Sequence, residues 1–178
     1  FFGQMSEKQW NSYDADTEGN LLVKAVDGKF YKLDEAPLTP GSTQSPHIPI
    51  LIGGSGEKRT LRTCAKFGDQ FNLDFWHPGG VDVFKHKSKV VEEHCESVGR
   101  DPSEVKRSVC LPFRLFESEN DFREAQGQPW YCWGTTTMIQ DTLGEYIEAG
   151  AQEIMLCAIP AKPSAWQRVE EEVLSVFS

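Results

Sequence analysis

No apolar run in the 178 residues approaches the roughly 18–20 needed to cross a bilayer, so no membrane-spanning helix is expected. No basic stretch leads into an apolar one, so no secretory leader is expected. The chain opens Phe1-Phe2 without a Met, as a piece of a longer or trimmed chain would. Basic clusters are also missing. The formal net charge is -9 and the pI is near 4.9, a surface that repels a phosphate backbone, so nucleic acid is excluded as a partner class. Cysteine pairing motifs are absent: Cys64, Cys95, Cys110, Cys132 and Cys157 are scattered, odd in number and form no CxxC. Zinc calls for closely spaced ligand pairs, so these read as buried, reduced thiols of a cytoplasmic protein. The four histidines (His47, His77, His86, His94) form no metal-ligand spacing. His86 and His94 read as part of a solvated helix face. No internal repeat, Walker A or GxGxxG is found, since Arg59 stands where the last glycine of GxGxxG would be.

What is present has the composition of a soluble globular domain, 39% hydrophobic and 25% charged. Residues 1–45 form a lead-in. Phe1–Tyr13 reads as a helix tail and Asp14–Asn20 as a polar loop. Leu21–Val26 and Lys29–Leu33 read as strands joined by a two-residue turn at Asp27-Gly28. Proline-rich Glu35–Pro49 reads as a connector. From residue 46 to 178 a strand–helix rhythm runs. Strands are predicted at Ile48–Ile52, Gln70–Leu73, Ser108–Phe116 and Ile154–Ile159. Helices are predicted at Glu57–Phe67, Val81–Val98 (closed by Gly99), Ser118–Gln126, Thr135–Ala149 (capped by Thr135 or Thr136) and Trp166–Phe177. The nearly unbroken apolar run Ile48–Ile52 is typical of a parallel strand covered on both faces. Four such units imply parallel strands with right-handed crossovers, either in a doubly wound sheet or in part of a β/α barrel.

Three segments can carry chemistry. Gly53-Gly54-Ser55-Gly56 joins a buried strand to a helix. Glycines let an anion approach the backbone, a helix amino end favours its charge, and Ser55 adds a hydroxyl. The bland alternative is a tight turn that needs glycine for its φ angles. Asn72 and Asp74, at the end of the second strand, sit where barrel ligands bind, or else Asp74 bonds its own turn. Pro129–Trp133 is aromatic and either walls a pocket or packs at an interface. Glu170-Glu171-Glu172 reads as a solvated face. No Ser/His/Asp or Cys/His arrangement stands out.

These residues carry a family resemblance. Gly28–Leu33 followed by Ala36-Pro37, Pro46–Arg62 with Ala65–Asp69 and Asn72, His94-Cys95 with Val98–Pro102, and Gly134-Thr135 with Ala149–Ala151 together resemble the luciferase-like monooxygenase superfamily. The deazaflavin (coenzyme F420)-dependent branch is the nearer likeness. The resemblance implies half of a (β/α)8 TIM barrel, strands five to eight, behind a hairpin-bearing insertion. It implies a flavin- or deazaflavin-dependent oxidoreductase moving hydride between the reduced cofactor and a small organic substrate, with coenzyme F420 preferred over FMN. By the same likeness, Gly53, Gly54, Ser55 and Gly56 would contact the cofactor phosphate, and Asn72 and Asp74 would lie near cofactor or substrate. Strands one to four are missing, so no catalytic residue is assigned. A half barrel leaves edges and an inner face uncovered, so a homo-oligomer or a complementary half is expected. A bulky residue at Gly54 or Gly56 is expected to weaken cofactor binding more than the fold. Two rivals stand beside this reading: a non-catalytic half barrel serving assembly or binding, and a doubly wound fold binding a phosphorylated metabolite at the glycine loop.

Overall fold

The computed structural model describes residues 13–15, 21–27, 29–30, 32–38, 43–45, 47–74, 79–125, 131–158 and 163–177. It divides into two units, Phe1–Ile48 and Pro49–Ser178. In the first, β1 (Tyr13–Ala15), β2 (Leu21–Asp27) and β3 (Lys32–Leu38) form an antiparallel sheet in that order. Three features differ from the sequence reading. Tyr13–Ala15, read as helix tail and loop, pairs with Leu21–Val23 because strand pairing outweighs its polar composition. Asp27 pairs with Lys32, so β2 runs on through Asp27 and a four-residue connection replaces the two-residue turn. Pro37, read as connector, pairs with Leu22 in β3, an edge strand where a missing N–H can be tolerated. The rest of the expected helix tail, residues 1–12, lies outside the described residues.

The second unit alternates strand and helix. In order come β4 (Leu51–Gly53), α1 (Thr60–Phe67), β5 (Gln70–Leu73), α2 (Gly80–Ser97), β6 (Lys106–Leu115), α3 (Glu119–Glu124), β7 (Cys132–Gly134), α4 (Thr136–Glu148), β8 (Glu153–Ala158) and α5 (Pro163–Arg168). A wide turn (Val169–Val173) and a tight one (Leu174–Phe177) follow α5. Every strand pairing is parallel. β6 is the axis of the sheet. Ser108 and Val109 pair with β5 on one edge and with β8 on the other. Further along, Phe113 pairs with both Ala158 and Cys132, so β7 occupies the edge that β5 vacates. β4 flanks β5. The order β4-β5-β6-β8 is thus sequential, an arc of half a β/α barrel, as the sequence reading expects. β7 is a fifth strand that the sequence reading lacked. It is three residues long and falls at the end of the aromatic segment that the sequence reading left as a pocket wall or interface.

Alternation along the strands sorts the core. Phe71 and Leu73 of β5, Val109, Leu111 and Phe113 of β6, and Cys132 of β7 share the helix-facing side. They bury against Leu61, Cys64 and Ala65 of α1, Phe84, Val91 and Cys95 of α2, and Ile139, Leu143 and Tyr146 of α4. The other face bears Gln70, Asn72, Lys106, Ser108, Cys110, Glu153, Met155 and Cys157 by register. A doubly wound sheet would need helices on both faces, whereas the described core lies on one. The strand expected at Ile48–Ile52 shrinks to three residues, and Ile50 and Leu51 stay 44% and 45% exposed rather than covered on both faces. Asp69 holds its entry, accepting the Ile50 N–H at 2.7 Å while its own N–H bonds the Ile50 carbonyl at 2.8 Å.

The helices start and stop close to expectation, with local exceptions. Ser118 accepts the Asp121 N–H and caps α3. Thr135 stands at the α4 N-cap but makes no side-chain cap bond, and Thr136 donates instead to Glu172 at 2.9 Å. Glu172 is therefore not purely solvated, since Arg168 binds it too, at 2.7 Å.

Cys64, Cys95 and Cys132 are fully buried, while Cys110 and Cys157 are half-buried on the opposite face. Burial pushes the Cys64 thiol up to about 11 and the Cys132 thiol up to about 12. A thiol reagent at about pH 8 should therefore label only Cys110 and Cys157 rapidly in the native chain, and the buried three only after denaturation. Mass mapping of the labelled sites checks this, and native labelling of Cys132 at the unfolded rate would contradict the packing.

Candidate functional site

The carboxyl ends of β4 and β5 bring the sequence-marked residues together. Gly53 pairs with Asn72 in the sheet, and the Gly54 N–H donates to the Asn72 carbonyl at 3.0 Å. Gly54 has φ 121°, a conformation that L side chains rarely adopt, and a Cβ there would stand 3.3 Å from Thr60 Cγ2. A Cβ on Gly56 would stand 2.9 Å from Thr60 Oγ1, and its carbonyl accepts the Leu61 N–H at 3.1 Å. Both glycines therefore serve the turn itself, so bulky substitutions there would disturb the fold as well as any ligand. This corrects the expectation that such changes act mainly on binding. Gly53 has no such restriction, its nearest obstacle being the Asn72 carbonyl at 3.9 Å.

Helix α1 begins at Thr60, three residues later than expected, because Glu57–Arg59 form a turn. Its N-cap residue, Arg59, makes no side-chain cap bond, and no acidic residue occupies its first turn. Lys58, Arg59 and Arg62 are exposed at this end, and no carboxylate pairs with them among the described residues. The orphan N–H groups of a helix start, a glycine turn and three cations make a local positive field on an acidic chain. Glu57, the single acid of the segment, is engaged elsewhere. Lys87 and His86 on α2 bind its carboxylate at 2.6 and 2.9 Å and hold it below the usual range, while His94 bonds its backbone carbonyl at 2.7 Å. His86 stays on the solvated face that the sequence reading expected, with its side chain 60% exposed, whereas His94 is half-buried. Their partner lies some thirty residues away in sequence, a contact that spacing along α2 does not disclose.

Asn72 is buried. Its amide donates to Ser108 Oγ at 2.9 Å and approaches Met155 Sδ at 3.6 Å, while the Ser108 hydroxyl donates to the Phe71 carbonyl at 2.9 Å. The side chain therefore cross-links β5, β6 and β8. Asp74 lies partly exposed just past β5. It contributes, after burial and Cys157, to raising the Cys110 thiol above its usual range. Phe75–Pro78 and Gln126–Trp130 lie outside the described residues. Of the aromatic segment, Tyr131 and Trp133 pack together (5.1 Å between ring centroids), and Trp133 also meets Phe116 at 6.1 Å, a packing role. Sequence reasoning missed Arg114. Its guanidinium lies 4.7 Å from the Phe116 ring and 5.6 Å from that of Trp133, at the carboxyl end of β6. A cavity of about 230 Å³ lined by Leu143, Ile147, Ile154, Leu174 and Phe177 opens at the amino end of β8, away from the glycine loop. Among the described residues, no cluster of metal-ligating side chains occurs and no helix is long and apolar enough to cross a membrane.

No protein-family model and no curated protein sequence matches the chain. Solved structures do. The coenzyme F420-dependent tetrahydromethanopterin reductase of Methanopyrus kandleri superposes with a TM-score of 0.66 at 17% identity, covering 86% of this chain and 58% of its own. A long-chain alkane monooxygenase gives 0.65 at 14%, covering 97% and 51%. A riboflavin lyase solved with modified FMN and riboflavin gives 0.63 at 12%, covering 91% and 49%. The chain has the fold of half of such a barrel. The half-barrel spans about half the length of the proteins it matches. At 12–17% identity the likeness to these proteins is one of fold.

The Asn72 cross-link generates a prediction. Asn72→Ala in the half-barrel should cost about 1–3 kcal/mol of stability with no ligand present, because Ser108 loses its partner in a buried setting. Chemical denaturation of the ligand-free chain measures it, and an unchanged midpoint would mean that the amide serves only a ligand.

Proposed function

We propose that this half-barrel is the phosphate-holding half of a flavin- or deazaflavin-dependent oxidoreductase of the luciferase-like superfamily. The observation that carries the reading is the open turn Gly53–Gly56 at the carboxyl end of β4. It leads into a helix start without a side-chain cap and is flanked by Lys58, Arg59 and Arg62, for which no carboxylate partner occurs among the described residues. In β/α barrels the carboxyl ends of the strands carry the ligand sites. Gly53 and Gly54 would let a phosphate approach the backbone, and Ser55 would add a hydroxyl and an N–H. The α1 amino end would neutralise part of the charge. Coenzyme F420 or FMN would supply the hydride chemistry, with F420 preferred on the form of the segment Gly53–Arg62. The residues of this chain would bind the cofactor tail, orient the ring over the strand ends and keep water from the reacting face. Asp74, partly exposed just past β5, would meet cofactor or substrate. Asn72 would act by setting the spacing of β5 against β6 and β8. No reacting acid or base is assigned among these residues.

The same reading needs a partner. Ile50 and Leu51 at the start of β4, Ile147 on α4, and Leu174, Val176 and Phe177 after α5 are exposed apolar surface. A complementary β/α half or a second copy of this chain would cover them.

The test is titration with FMN and with F420, on the chain alone and completed by strands one to four. Binding should be tighter in the completed barrel. Ser55→Ala should weaken it roughly tenfold or more at unchanged melting temperature, the loss of one hydrogen bond to a charged group. If neither cofactor binds the completed barrel, the enzyme reading fails and the non-catalytic half barrel takes its place.

A further inference from the structure

Helix α2 packs along α1 and delivers three side chains to one residue of the glycine loop. Lys87 and His94 are seven residues apart and His86 and His94 eight, so all three fall on one stripe of the helix. Lys87 and His86 meet the Glu57 carboxylate, and His94 meets the Glu57 backbone carbonyl. The Lys87 side chain is 16% exposed and the Glu57 side chain 45%, so the pair is sheltered from one side only.

Glu57 is the only acidic residue between Gly53 and Phe67. A carboxylate beside a helix amino end competes for the same orphan N–H groups that an anion would use, and it repels that anion. Here the carboxylate is spent on α2, and the α1 amino end takes no side-chain cap. The backbone tie from His94 fixes the same residue from a second atom, so the contact restrains the loop's path as well as its charge.

We propose that α2 is a clamp on the glycine loop, in which Lys87, His86 and His94 hold Glu57 away from the α1 amino end and so keep Lys58, Arg59, Arg62 and the loop N–H groups available to a phosphate-bearing ligand. The inference rests on the phosphate reading of the loop. Lys87 and Glu57 are positioning residues in it, acting on the ligand only through each other.

The test is a titration of the full 178-residue chain with inorganic phosphate, followed through the amide resonances of Ser55 and Gly56. Four forms are compared: wild type, Glu57→Gln, Lys87→Ala and the double variant. Wild type should show saturable shifts. Lys87→Ala frees a carboxylate beside the loop and should weaken binding by about three- to fivefold, the size of a single nearby charge at a helix end. Glu57→Gln keeps an acceptor for α2 without the charge and should bind at least as well as wild type. In the double variant the Gln should restore the affinity that Lys87→Ala loses, a recovery that a purely structural role for Lys87 would not produce. Lys87→Ala binding like wild type, or a double variant as weak as Lys87→Ala, would overturn the clamp while leaving the loop reading intact. No shift at Ser55 or Gly56 in wild type would overturn both. Should Lys87→Ala lose its fold, Lys87→Met replaces it under the same criteria.

Discussion

The rest of the second unit depends on the two-sided pairing of β6. Among the described strands, this ten-residue one alone bonds to three others: β5 and β7 share one edge in succession and β8 takes the other. Its helix-facing residues Val109, Leu111 and Phe113 form the floor on which α1, α2 and α4 settle. Its opposite face carries Ser108, the hub of the hydrogen bonds to Asn72 and Phe71. Fixing β6 fixes the height at which β5 ends, and β5 in turn fixes the Gly54 turn through the Asn72 carbonyl. The position of the candidate anion site is thus set several contacts deep inside the sheet rather than by the loop itself.

The unequal faces of the sheet follow from the same arrangement. One is dry and covered by helices. The other mixes small, polar and sulfur-bearing groups, including the Lys106–Glu153 pair at 2.5 Å. A surface of that composition tolerates water better than an aliphatic one would, yet it also suits the interior of a closed barrel. The helix-side face therefore carries the described core, while the other face is lined by groups of mixed polarity.

Much of this was legible in the sequence, and the failures have physical causes. Strands Gln70–Leu73 and Glu153–Ala158 and helices α2 and α4 followed from apolar periodicity and from Gly99 and Gly150, both at positive φ past helix ends. Local signals suffice where burial is periodic. They failed at β7, whose three residues are a strand only because β6 extends past β5 and leaves an edge open. They failed at Asp27-Gly28, where register against Lys32 overrode a strong turn dipeptide. The glycine loop was marked by composition alone, but its electrostatics were not. Glu57 stood only as the first residue of an expected helix, and its engagement by α2 is a tertiary event. Asn72 was marked for its place at a strand end, whereas its burial and its bond to Ser108 belong to the sheet.

The long β6 also has a consequence for the order in which the chain assembles. Its pairing with β5 spans one helix, but Ser108 meets Glu153 only after α3, β7 and α4 have been crossed. Loop closure of that length is entropically slow, and parallel pairing gives no local turn to seed it. β4, β5 and the first half of β6, with α1 and α2, can condense first, carrying the Gly54 turn and the Glu57 contacts with them. On loop closure alone, β8 would dock last.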